Sequence, residues 1–130
     1  KTCHSYSDVD LQLMSAVMLN KDDVVIGISY SGETTEIVDC ILQANQLGAT
    51  TISITRYGNS KLSQSANIPL YISSTETEIR SAATSSRITQ LNMIDILYLG
   101  VASLDYDQSV TYLEKSRKVV ERHRRGRSRG

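Results

Sequence analysis

An α/β domain, with a parallel sheet doubly wound by flanking helices, is what three features of this 130-residue chain predict. Short runs rich in β-branched residues alternate with segments of helical periodicity. The first of those runs, Val24-Val25-Ile26-Gly27-Ile28, contains no polar residue, the pattern of a strand buried on both faces. A loop rich in hydroxyls and glycine follows it directly, where open α/β sheets collect their ligands.

Taken in order, Ser7 and Asp8 supply caps for a first helix whose Val9, Leu13, Ala16 and Val17 share a face, and the polar turn Asn20-Lys21-Asp22-Asp23 ends it. The strand Val24–Ile28 comes next. From about Thr34 to Leu47 the pattern is helical again, with Ile37, Val38, Ile41 and Leu42 as the buried stripe and Gly48 as a left-handed stop. Thr50-Thr51-Ile52-Ser53-Ile54-Thr55 reads as a second strand, closed by Tyr57-Gly58-Asn59. A short helix over 61–66 then leads to Ile68-Pro69-Leu70-Tyr71-Ile72. Its proline, which cannot donate to a ladder, assigns that third strand to an edge. Two helices finish the chain. The first, over 81–104, spaces Ile88, Leu91, Ile94, Leu97 and Val101 at steps of three and four, and the second runs over about 108–125. Three strands make a thin sheet for this class, so an N-terminal helix and first strand are expected to be missing ahead of Lys1. The absence of an initiator Met points the same way, to a fragment or a processed product.

With 40% hydrophobic residues, one Pro and seven Gly, the chain is expected to form one globular domain over 1–130. No apolar run approaches the roughly 20 residues of a membrane span and no signal pattern opens the chain, so no membrane partner and a cytoplasmic location are expected. Cys3 and Cys40 form neither a disulfide framework nor a metal-spaced pair, and no metal or cofactor is expected. Formal net charge is +0, but eight basic side chains lie between Lys115 and Arg129 against Glu114 and Glu121. Six basic and twelve acidic residues remain elsewhere. An acidic body with a basic tail, about 122–130, does not form the basic face of a nucleic-acid reader, and basic residues suit a helix C-terminus in any case.

The loop Ser29-Tyr30-Ser31-Gly32-Glu33-Thr34 carries the chemistry. Hydroxyls and a glycine at a helix N-terminus offer a phosphate monoester short donors, backbone N–H groups and the positive end of the helix dipole. The spacing is neither that of a nucleotide P-loop nor that of a Rossmann fingerprint. The same residues also make an ordinary Ser/Thr cap with a glycine turn, and physics alone leaves both readings open.

Val24 to Thr34, V-V-I-G-I-S-Y-S-G-E-T, resembles the phosphosugar-binding strand and loop of the sugar isomerase (SIS) domain. The stretch Glu78 to Tyr98, beginning Glu78-Ile79-Arg80-Ser81-Ala82-Ala83-Thr84, is similar to a helix of RpiR-type transcriptional regulators, whose C-terminal half is an SIS effector domain. The resemblance implies that Ser29, Ser31 and Thr34 hold a sugar phosphate, that Gly32 lets the backbone approach, and that Tyr30 and Glu33 line the same loop. It places Glu78 as an acceptor for sugar hydroxyls and implies a homodimer. DNA contact would belong to a helix-turn-helix domain absent from this chain.

Two other functions compete with that sensor. SIS isomerases use a glutamate at the position of Glu78 as a base, which makes phosphosugar or aminosugar-phosphate isomerisation the alternative. Against it, this chain reads Ala82-Ala83-Thr84-Ser85 where the sugar-isomerising synthases resemble A-S-T-K, and His4 and His123 lie near the termini. A ligand-free interaction module would leave the Ser-x-Ser-Gly-x-Thr loop unexplained. The expected function is therefore reversible binding of a phosphorylated sugar or aminosugar.

Overall fold

In the computed structural model, residues 3–73 and 82–127 are described. They fall into two compact units divided between Leu91 and Asn92. In the first unit, helix α1 (Val9–Ala16) starts at Asp8, whose side chain accepts from the Leu11 N–H, so the expected cap is in place. Of the stripe expected to be buried only Ala16 is; Val9, Leu13 and Val17 are exposed, because α1 packs against one neighbour, α2.

Strand β1 (Val24–Ile28), helix α2 (Thr35–Gln46), strand β2 (Thr50–Arg56), helix α3 (Lys61–Ser65) and strand β3 (Ile68–Ile72) form a parallel sheet in the order β1-β2-β3. All of these lie where the sequence puts them to within a residue or so, and Pro69 sits on an edge strand. Register runs Ile26 to Ile52 to Ile68, and Gly27 to Ser53 to Pro69. In such an order right-handed crossovers bring successive helices to the same face. Accordingly α2 and α3 pack together over the sheet, with Val38, Ile41 and Leu62 as their shared core. A Cβ at Gly27 would lie 3.1 Å from Ile37 and Ile41, so the bare glycine sets how closely α2 approaches β1.

Two expectations about burial need correction. The opposite face of the sheet carries Val24, Ile26 and Ile68, which are exposed at 56%, 46% and 45%, so β1 is not covered on both faces. In α2 the buried residues are Val38, Cys40, Ile41 and Ala44, while Leu42 is exposed. The sequence stripe was centred one step off, because α2 is covered on one flank by the sheet and on another by α1 and α3. Gly48, at φ +80°, is the left-handed stop expected after α2. At the amino end of β2, Thr51 is tied by its N–H and hydroxyl to Asn67, and Asn67 returns its own N–H to that hydroxyl.

Helix α4 (Ala82–Leu104) crosses from the first unit into the second, and α5 (Tyr106–Arg127) follows after Asp105. Asp105 begins α5 by accepting from the Gln108 N–H through its side chain and from Ser109 through its carbonyl. Along α4 the residues Ile88, Leu91, Tyr98, Leu99 and Val101 are exposed. No described helix is long and apolar enough to cross a membrane.

Candidate functional site

The loop between β1 and α2 lies at the carboxyl edge of the sheet, where strand ends leave backbone groups free to meet a ligand. Its first residue continues the ladder, since the Ser29 N–H donates to the Ile54 carbonyl. The Tyr30 carbonyl accepts from the Arg56 N–H at 2.9 Å, which holds the loop to β2. Gly32 then turns back: its N–H donates to the Ser29 carbonyl and the Ser29 hydroxyl, both at 3.1 Å. At φ +69° it occupies the left-handed region that favours glycine.

That turn gathers three hydroxyls. Ser29 Oγ lies 2.8 Å from Thr34 Oγ1 and 3.5 Å from Ser31 Oγ, and Ser31 Oγ also accepts from the Glu33 N–H. Ser29 is buried, whereas Ser31 and Thr34 are exposed, so the cluster has a fixed inner member and two outer members that solvent or a ligand can reach. Thr34 is the N-cap of α2 yet makes no side-chain bond to the helix. The first N–H groups of a helix have no partner within it, and their dipole favours an anion. Glu36 is the acidic residue in that first turn.

Four of the candidate residues, Ser29, Ser31, Gly32 and Thr34, therefore come together at one point. The Glu33 carboxylate takes another direction: Oε1 accepts from the Lys61 N–H at 3.1 Å and Oε2 lies 3.5 Å from Lys61 Nζ. Tyr30 is half-buried at the start of the turn. Glu78 lies outside the described residues.

Sequence reading missed the second element of this site, the start of α3. The Leu62 N–H donates to the Gly32 carbonyl at 3.0 Å, and buried Ser60 stands directly against Gly32. Ser60 is itself fixed by a capping box with Ser63. A signal was present, because Gly58-Asn59-Ser60 follows β2 and so closes at the same sheet edge as Ser29. Among the described residues no group of histidine, cysteine or carboxylate side chains could hold a metal ion.

Fold and loop together define an open parallel α/β domain with a hydroxyl-lined turn at the carboxyl end of its first strand. The SIS domain family matches residues 1–100, and the chain belongs to that family. Among curated proteins, an uncharacterized HTH-type transcriptional regulator of Caldanaerobacter subterraneus subsp. tengcongensis is 52% identical over 118 residues, covering 91% of this chain and 42% of that protein. The uncharacterized HTH-type transcriptional regulator YbbH of Bacillus subtilis is 42% identical over 122 residues, covering 93% and 43%. The chain thus spans less than half the length of these curated relatives. Of solved structures, the Vibrio vulnificus NanR protein complexed with ManNAc-6P aligns with TM-score 0.78 at 23% identity over 88% of this chain and 43% of that one, a likeness of fold. An Escherichia coli CFT073 protein in complex with a phosphosugar aligns with TM-score 0.59 at 33% identity, over 68% and 48%.

Proposed function

We propose that this chain is the phosphosugar-sensing part of an RpiR-type transcriptional regulator. The observation that carries the proposal is the hydroxyl cluster Ser29, Ser31 and Thr34 beside the first turn of α2. Short hydroxyl donors and unpartnered helix N–H groups suit a phosphate monoester. In this reading Ser31 and Thr34 meet the phosphate, Ser29 orients both, the backbone around Gly32 lies close to it, and Glu78 accepts from sugar hydroxyls. The names of the curated relatives and the ligands of the two structures support that assignment. Residues 1–130 act as one sensing domain in a cytoplasmic protein, without a cofactor. DNA is engaged through a helix-turn-helix segment outside these residues.

The domain binds its ligand without turning it over. Isomerisation needs proton transfer at two points of the sugar. His4 precedes α1 and His123 lies on α5, so neither belongs to the strand-end loops beside Ser29. The domain works as a homodimer, an assembly that would cover exposed Ile88, Leu91 and Val101 of α4.

Calorimetry of the chain with ManNAc-6P, arabinose 5-phosphate and the corresponding unphosphorylated sugars tests the sensor. At least one phosphorylated sugar is expected to bind more than tenfold tighter than its unphosphorylated form, the effect of losing charge-assisted hydrogen bonds worth roughly 1.5 to 3 kcal/mol each. Equal affinities for the two forms would remove the reading.

A further inference from the structure

We infer that Glu33 is a positioning residue: by accepting the Lys61 N–H at the start of α3, its carboxylate holds the turn Ser31-Gly32-Glu33 in the shape that presents Ser31 and Thr34 to an anion. The inference rests on the phosphate reading of this loop and gives one of its acidic members a different task.

A carboxylate inside an anion-binding turn is at first sight a mistake, since it repels the ligand. Its geometry resolves the conflict. Both oxygens are committed to Lys61, a residue 28 positions away in sequence, one through the backbone N–H and one through the ammonium. The ion pair is largely exposed, and exposed pairs contribute little. The backbone bond is the part that fixes geometry, because that N–H belongs to a segment that cannot move freely. On one side of Lys61, Ser60 is buried and locked in its capping box; on the other, buried Leu62 donates to the Gly32 carbonyl. Consecutive residues 60, 61 and 62 therefore each touch the turn, at Gly32, Glu33 and Gly32 again.

Such bracing changes affinity by changing how often the loop is in its binding shape. If only a fraction of the molecules hold that shape, apparent affinity falls in the same proportion. A hydrogen bond of ordinary net strength corresponds to roughly a three- to tenfold change in that fraction.

Charge and position predict opposite signs, and this makes the inference testable. Glu33→Gln keeps an oxygen acceptor for the Lys61 N–H and removes the negative charge; Glu33→Ala removes both. Titrations of the whole chain with inorganic phosphate and with ManNAc-6P are read beside amide hydrogen exchange of the unliganded protein. For a brace, Glu33→Ala weakens both ligands by about three- to tenfold and speeds exchange at Gly32, Glu33 and Lys61, while Glu33→Gln binds as well as the parent or better. If both variants bind phosphate more tightly, Glu33 acts only as a nearby charge and the inference falls. If Glu33→Ala weakens ManNAc-6P but leaves inorganic phosphate unchanged, Glu33 contacts the sugar and the inference also falls. Should the parent bind neither ligand, the phosphate reading of the loop fails. Exchange then decides the brace alone: faster exchange in Glu33→Ala, restored in Glu33→Gln, upholds it, and unchanged exchange overturns it.

Discussion

Ser29 Oγ and Thr34 Oγ1 lie 2.8 Å apart, joining the end of β1 to the N-cap of α2 across the turn that Gly32 makes. Each hydroxyl has one proton. In the bond between them one proton is used internally, and the other is free to be given to a ligand. Ser29 is buried and also accepts from the Gly32 N–H, so it is the anchored partner and Thr34 the one able to turn outward.

Replacing the outer hydroxyls should accordingly reduce affinity and spare the fold. Thr34→Val and Ser31→Ala are each expected to weaken ManNAc-6P by about tenfold, within the range for a hydrogen bond to a charged group. Their melting temperatures should stay near that of the parent, since Ser29 keeps its bond to Gly32. Calorimetry and thermal melts on the two variants supply the check, and unchanged affinity in both would show that the ligand lies elsewhere.

Gly32→Ala should be costly to the fold as well as to binding. A Cβ there would fall 2.1 Å from Ser60 Oγ and 2.5 Å from Ser60 Cβ, with φ at +69°. Ser60 is buried and locked to Ser63, so it cannot yield as the tip of a flexible side chain would. Backbone strain alone contributes about 1 to 3 kcal/mol, and the collision adds to it. Urea denaturation should show a loss of stability above 1 kcal/mol, roughly the lower bound of that range; Gly58→Ala is the control for φ, having a strained φ of +130° but nothing within 4 Å of its Cβ.

Cys40 should be inert in the folded chain and make stability fall at high pH. Burial pushes its thiol pKa up, and the neighbouring Asp39 carboxylate adds to the shift. In the unfolded chain the thiol ionises at its ordinary pKa, so over this window the unfolded state binds fewer protons than the native one. The contribution is fully present below the ordinary thiol pKa and is lost as pH rises through the raised native value. Cys40→Ala should flatten that part of the stability-pH curve measured by denaturation. Iodoacetamide should label exposed Cys3 in the native protein and reach Cys40 only on unfolding.

Sequence alone determined what depends on neighbours along the chain. Alternating runs of β-branched and periodic residues placed all three strands, Pro69 marked the edge strand, Asp8 and Gly48 marked helix ends, and Ser29-x-Ser31-Gly32-x-Thr34 marked the loop, because caps, turns and periodicity are set within a few residues. Tertiary structure decided what depends on direction and distance between segments. Glu33 reads as a ligand group in sequence, yet its carboxylate reaches Lys61 because β2 delivers the start of α3 to the same sheet edge. Ser60 drew no notice in the sequence for the same reason: it becomes part of the site only when two parallel strands end side by side. Burial followed suit, with Cys40 and Ala44 inside α2 and Leu42 outside, since which flank of a helix is covered depends on the elements packed against it and periodicity gives only the spacing of the stripe.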